Sequence, residues 1–146
     1  MSVPRTAYRA LIPPRQPEFD AGLVEAARIG NGYTSVARMD AELQRGRYGA
    51  AMDALLAEYD FVISPTTPIL PFEAGRDVPF GCEGRSWVEW CSFSFPINLS
   101  QQPACSIPCG LSRDGLPIGL QIIGARGDDA AVLSAAHCLE EVYGVT

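Results

Sequence analysis

Apolar residues follow two different rhythms along this chain, and the change between them comes at Asp60. Before it the spacing is helical. Asp20 stands as an N-cap ahead of Leu23, Val24 and Ala27, and Gly30 is placed as a C′ stop, which predicts a short helix between them. After the Asn31-Gly32 break, Val36, Met39 and Leu43, then Tyr48, Met52, Leu55, Leu56 and Tyr59, recur at helical spacing and predict a second helix from about Ser35 to Glu58. The small residues Gly46, Gly49, Ala50 and Ala51 on that helix point to close contact with a neighbour. Ahead of both, residues 1–19 carry Pro4, Pro13, Pro14 and Pro17 and are expected to form an irregular arm, leaving 20–146 as the folded segment.

Past Asp60 the rhythm shortens. Phe61-Val62-Ile63-Ser64 is a brief apolar run closed by Pro65, the pattern of a strand buried on both faces. Residues 65–86 hold four prolines and three glycines, too many for regular structure, and so long a loop in a compact domain usually forms or covers a site. Trp87 to Phe95 is aromatic-rich and fits a helical turn packed over that loop. From Ala104 to Leu111 the chain alternates, with Cys105, Ile107, Cys109 and Leu111 on one face and Ala104, Ser106 and Gly110 on the other. Asp114-Gly115 is a hairpin turn dipeptide, and Leu116 to Gly124 returns with Ile118, Leu120 and Ile122 on one face. Pro108 and Pro117 place parts of this ribbon at an edge or bulge. Gly119 joins the small face, which implies that something packs close to the backbone there. Asp128-Asp129 then caps a last helix, with Val132, Leu133, Ala136, Leu139, Val142 and Tyr143, ending at Gly144. The coarse order α-α-β-β-β-α is an α/β layering whose sheet is too small to be complete.

Composition narrows the chemistry. The chain has 146 residues, 47% of them hydrophobic, enough for one domain with a core. All 11 positive charges are arginine, so no mechanism needing a lysine base, Schiff base or P-loop lysine can be housed here. A formal net charge of −6 gives no footprint for nucleic acid or anionic lipid. Five cysteines, with no C-x-x-C pair, are expected to be free thiols in a reducing cytoplasm. No signal peptide or membrane-spanning run is expected.

Candidate active groups are few. His137 is the single histidine, so a histidine-rich metal site is excluded. The adjacent Cys138 points to another side of the helix and cannot pair with it, leaving Cys82 or Cys91 as through-space candidates for a cysteine–histidine pair. Asp128-Asp129 is explained by capping, and Glu140-Glu141 by a solvated face. The glycines form no G-x-G-x-x-G fingerprint.

Three stretches in series carry a resemblance. They are Tyr59-Asp60-Phe61-Val62-Ile63-Ser64-Pro65-Thr66-Thr67-Pro68; Phe95-Pro96-Ile97-Asn98-Leu99 running through Pro103 to Ser106-Ile107-Pro108-Cys109-Gly110; and Asp114-Gly115-Leu116-Pro117-Ile118-Gly119-Leu120-Gln121-Ile122-Ile123-Gly124. In order and separation they resemble the C-terminal part of the amidase signature family, serine amide hydrolases that include the A-type subunits of glutamine-dependent tRNA amidotransferases. The likeness covers residues 20–144.

That resemblance implies an α/β/α fold layered on a twisted mixed sheet, here present as a partial sheet with a β-hairpin flanked by helices. It implies hydrolysis of a carbon–nitrogen amide bond through an acyl-serine, with backbone N–H groups holding the oxyanion and no metal or organic cofactor. The family's nucleophilic serine, bridging cis-serine and lysine lie in its N-terminal half, so no catalytic residue is expected among these 146. The matching segments are sheet scaffold and pocket wall, which makes Cys91, Phe95 and Trp87 the substrate-pocket candidates. Two positions depart from the pattern. Gln101 stands where the family usually has a glycine before Pro103. Cys91 stands where the amidotransferase members have an acidic residue for glutamine, which favours a general amidase. The expected partners are a small amide in the complete enzyme and the missing half, or self-association. The alternatives are one chain of a split amidase, a non-catalytic assembly or binding module, and a cysteine enzyme using Cys82 or Cys91 with His137.

Overall fold

The computed structural model describes residues 19, 21–76, 78–82 and 90–144. The arm at 1–19 (except residue 19), the expected N-cap Asp20 and Trp87 lie outside the described residues. The chain divides into two units, residues 1–39 and 40–146. In the first, helix α1 (Ala21–Gly32) carries an exposed Glu25–Arg28 ion pair at 2.6 Å. It continues past Gly30, a correction to the expected stop: Gly30 keeps no positive φ, and the helix ends at the Asn31-Gly32 pair. Thr34 then caps helix α2 (Ser35–Glu58), its hydroxyl accepting from the Ala37 N–H at 3.1 Å.

The second unit is built on a three-stranded antiparallel sheet in the order β1-β3-β2, from β1 (Val62–Pro65), β2 (Ala104–Leu111) and β3 (Pro117–Ile123). A short helix α3 (Ser94–Ser100) precedes β2, and α4 (Asp129–Tyr143) follows β3. The observed order is therefore α-α-β-α-β-β-α. Of the Trp87–Phe95 stretch expected to form a helical turn, 87–89 lie outside the described residues, and from residue 90 on the helix begins only at Ser94 and runs to Ser100.

Strand β3 is covered on both faces because successive side chains point opposite ways. Ile123, 2% exposed, packs with Met52, Leu56 and Ile97 from α2 and α3, with Val62 and Ala125 beside them. Ile122, 1% exposed, packs with Ile107 and Ala136, so α4 covers the other face. Each such isoleucine contributes roughly 1.5–3 kcal/mol by leaving water. Helices on both faces of one sheet give the α/β/α layering, at partial size.

Strand β1 differs from the expectation that it is buried on both faces. Among the described residues it pairs only with β3, and Ile63, opposite the buried Ile122, is 62% exposed. α4 packs against β2 and β3 and leaves this edge uncovered. The hairpin follows its turn chemistry: Gly115 has φ +77°, and the Ser112 hydroxyl accepts from the Asp114 and Leu116 N–H groups. The register of β2 on β3 shifts between Pro108 and Leu111, a bulge where Gly110 takes φ +129°. Asp128 caps α4 by accepting from the Ala131 N–H, and Gly144 closes it at φ +65°.

One carboxylate joins three segments. Asp53 on α2 accepts from Gln102 Nε2 at 2.8 Å, just before β2, and from Arg126 Nη2 at 2.9 Å in the turn after β3. Arg126 passes close to Gly49, whose missing Cβ would stand 3.2 Å from Nη2. The predicted close contact on α2 occurs at Gly49, whereas nothing approaches Gly46 within 4 Å.

Candidate functional site

Strand alternation sorts the second unit's side chains into an apolar end and a polar end on the face opposite α4. Val62 and Ile123 make the apolar end, and Ser64, Gln121, Ser106 and Thr66 make the polar end. Gln121 is buried and donates from Nε2 to the Ser64 hydroxyl at 3.2 Å and to the Phe93 carbonyl at 3.3 Å. It thereby pins the segment between Cys91 and α3 to the sheet. Beside it the Thr66 and Ser106 hydroxyls meet at 2.5 Å over Gly119. A Cβ on Gly119 would stand 2.7 Å from Thr66 Oγ1 and 2.9 Å from Ser106 Oγ, which explains the small face of the hairpin.

Cys91 closes the start of α3 with its backbone. Its carbonyl accepts from the Ser94 N–H at 3.1 Å and the Phe95 N–H at 3.4 Å. Its half-buried thiol is pushed up in pKa by burial, so it stays protonated and is a poor nucleophile. Phe95, on the first turn of α3, is partly exposed. Gln101 ends α3 with φ 66° and ψ 24° and donates its N–H to the Ile97 carbonyl. The tight turn before Pro103 thus forms with glutamine in the left-handed region.

The 71–80 loop supplies the concave surface. Pro71, Phe72, Glu73, Arg76 and Phe80 surround a cavity of about 480 Å³ that reaches Leu116 in the hairpin. The Arg76 guanidinium lies 5.7 Å from the centre of the Phe80 ring. Phe72 meets Trp90 edge-to-face with centroids 5.4 Å apart, so the cavity wall backs onto the residue beside Cys91. None of these lining residues stood out in the sequence beyond lying in a long Pro/Gly-rich loop. Gln121 did leave a signal, as the one amide inside Leu120-Gln121-Ile122-Ile123.

A cysteine–histidine pair does not assemble among the described residues. His137 lies on the exposed side of α4, with Nε2 3.6 Å from Glu141 Oε1. All five cysteines are free thiols, and Cys105 turns toward α4 with Sγ 3.9 Å from the Val132 carbonyl. What the arrangement offers is a wall and a scaffold.

Comparison with known proteins matches this geometry. The family model described as Amidase matches residues 11–133. The A-type component of the Brevibacillus brevis glutamyl-tRNA(Gln) amidotransferase is 35% identical over 116 residues, which are 80% of this chain and 23% of that protein. The chain therefore spans about a quarter of the length of the curated relatives it matches. Among solved structures, 6-aminohexanoate cyclic dimer hydrolase complexed with substrate is 28% identical with a TM-score of 0.69, covering 84% of this chain and 27% of that one. An amidase crystal structure reaches a TM-score of 0.77 at 24% identity over 92% of this chain and 31% of that one, a likeness of fold. A matching family model over most of its length, together with these relatives, places the chain in the amidase signature family.

Proposed function

We propose that this chain forms the C-terminal part of an amide hydrolase, supplying sheet scaffold and substrate-pocket wall. The nucleophilic serine, bridging serine and lysine base come from outside residues 1–146, in the same polypeptide or another. The observation that carries this reading is a family match over residues 11–133 in a sequence without a single lysine. Two structural features support it. Among the described residues β1 has no partner on its outer edge, and Ile63 is exposed, as in a sheet awaiting further strands. Gln121 fixes the Cys91–Phe95 segment against the sheet, the kind of anchoring a pocket wall needs. The reading extends to Cys91, Phe95 and Trp87 as wall residues facing a small amide.

A neutral thiol at Cys91 favours a general amidase over one that grips the ammonium group of glutamine. No helix among the described residues is long and apolar enough to cross a membrane. Five free thiols fit work in the reducing cytoplasm.

The test is complementation. The purified chain is mixed, or co-expressed, with a polypeptide carrying the serine- and lysine-bearing half of an amidase signature enzyme. The expected result is a complex that hydrolyses simple amides while neither component does so alone. Hydrolysis by the isolated chain, or an inert complex, overturns the reading.

A further inference from the structure

The cavity under the 71–80 loop has a lining that selects its occupant, and this deepens the functional reading above. Its volume, about 480 Å³, is that of a small-molecule site. Four of its six lining residues are apolar: Pro71, Phe72, Phe80 and Leu116. The other two, Glu73 and Arg76, carry opposite charges, so the lining has no net charge to attract an ion of either sign. Phe80 is 88% exposed, a large ring held in water with the Arg76 guanidinium over it. A flat apolar ring entering the cavity would cover the free surface of Phe80 and make the stacked or edge-on contacts that aromatic pairs favour. Phe72 is already steadied by its edge-to-face contact with Trp90, so this wall is preorganised and adjoins Cys91.

We propose that this cavity is the specificity pocket for a neutral aromatic group on the amide substrate, with Phe72 and Phe80 holding the ring and Leu116 closing the far side. The substrate class is then an uncharged aryl amide rather than an aliphatic or anionic one. A flat ring gains from both phenylalanines at once, whereas a flexible alkyl chain loses rotamer freedom on entering.

The experiment titrates the full chain with acetanilide, N-hexylacetamide and 4-acetamidobenzoate, read by tryptophan fluorescence and by protein NMR. Acetanilide is expected to bind about tenfold more tightly than either competitor. Phe80→Ala, at an exposed position that leaves the fold intact by circular dichroism, should weaken acetanilide five- to tenfold. Leu116→Asp, which puts a charge against the apolar ring at the far side, should weaken it at least as much. Equal binding of the three probes, or unchanged binding in both variants, overturns the pocket. A second readout is the ratio of kcat/KM for aryl over alkyl amide in the complemented enzyme. A ratio that falls in Phe80→Ala supports the pocket, and an unchanged ratio overturns it. Selective binding of acetanilide by the chain with no turnover in the complex would instead overturn the amidase reading while leaving the pocket standing.

Discussion

At φ 66° and ψ 24°, Gln101 closes α3 in a conformation that costs an L side chain about 1–2 kcal/mol. Gln101→Gly removes that crowding, offset partly by the greater freedom of glycine in the unfolded chain, and should raise stability by roughly 0.5 kcal/mol. Gln101→Val, branched at Cβ, should lower it by at least ~1 kcal/mol. Urea denaturation of the three proteins checks the sign of both changes. Gly119 makes the opposite demand. Alanine there meets Thr66 Oγ1 at 2.7 Å and should cost roughly 1–3 kcal/mol, with part of the loss recovered by adding Thr66→Ala. The thiols give a pH signature. Burial raises the pKa of Cys91 and of Cys105, where nearby Glu140 adds to the shift, so the folded state holds their protons more tightly than the unfolded one. Stability from these groups is complete below the ordinary thiol pKa of about 8.5 and declines as pH rises through the raised values. At pH 7.5 iodoacetamide should modify exposed Cys138 well before Cys91 or Cys105, as resolved by peptide mass spectrometry.

Among the elements, the Asp53 clamp joins α2 to both ends of the hairpin. Asp53→Ala removes both hydrogen bonds and leaves Gln102, which is buried, without its acceptor; a loss of about 1–3 kcal/mol is expected. Because Arg126 is about half exposed, most of that loss should persist in high salt, and a denaturation series with and without sodium chloride separates the two contributions. Elements whose signals are local were legible in the sequence: α2 by its periodicity, the hairpin by Asp114-Gly115, α4 by Asp128 and Gly144. Those set by tertiary context were not. Phe61-Val62-Ile63-Ser64 has the composition of a doubly covered strand, yet its exposure depends on where α4 packs, which no local pattern encodes. The Asp53–Gln102 pairing spans two elements and is invisible to any window of residues. The candidate site was legible in the sequence as a long loop, with the Cys91–Phe95 segment suggested through family likeness. The cavity at Phe72 and Phe80 depends on how an irregular loop meets Leu116.

For the described residues of the second unit, the decisive feature is a sheet covered on both faces by helices and open at its β1 edge. An edge strand with an exposed isoleucine is an invitation to pair with another chain. Light scattering of the chain alone should show association that grows with concentration. Ile63→Lys should suppress it without altering the circular dichroism spectrum, and addition of the serine- and lysine-bearing half should compete with it. A strictly monomeric chain at high concentration would show that the edge is already protected.

The strand order has a kinetic consequence. β3 lies in the middle of the sheet but is the last of the three strands to be synthesised, and β1 pairs with it rather than with β2. The β2–β3 ribbon closes over a short turn, whereas the Val62–Ile123 pairing must close a much longer loop. Folding should therefore start at the hairpin with α4 docking on it, and β1 should join late. In pulsed hydrogen exchange, amides of Ile107 and Leu120, which bond across β2 and β3, should become protected before that of Ser64, which bonds from β1 to β3. A nascent chain halted before Pro117 would hold two strands with no template between them, exposed to the cell's chaperones until β3 and α4 emerge.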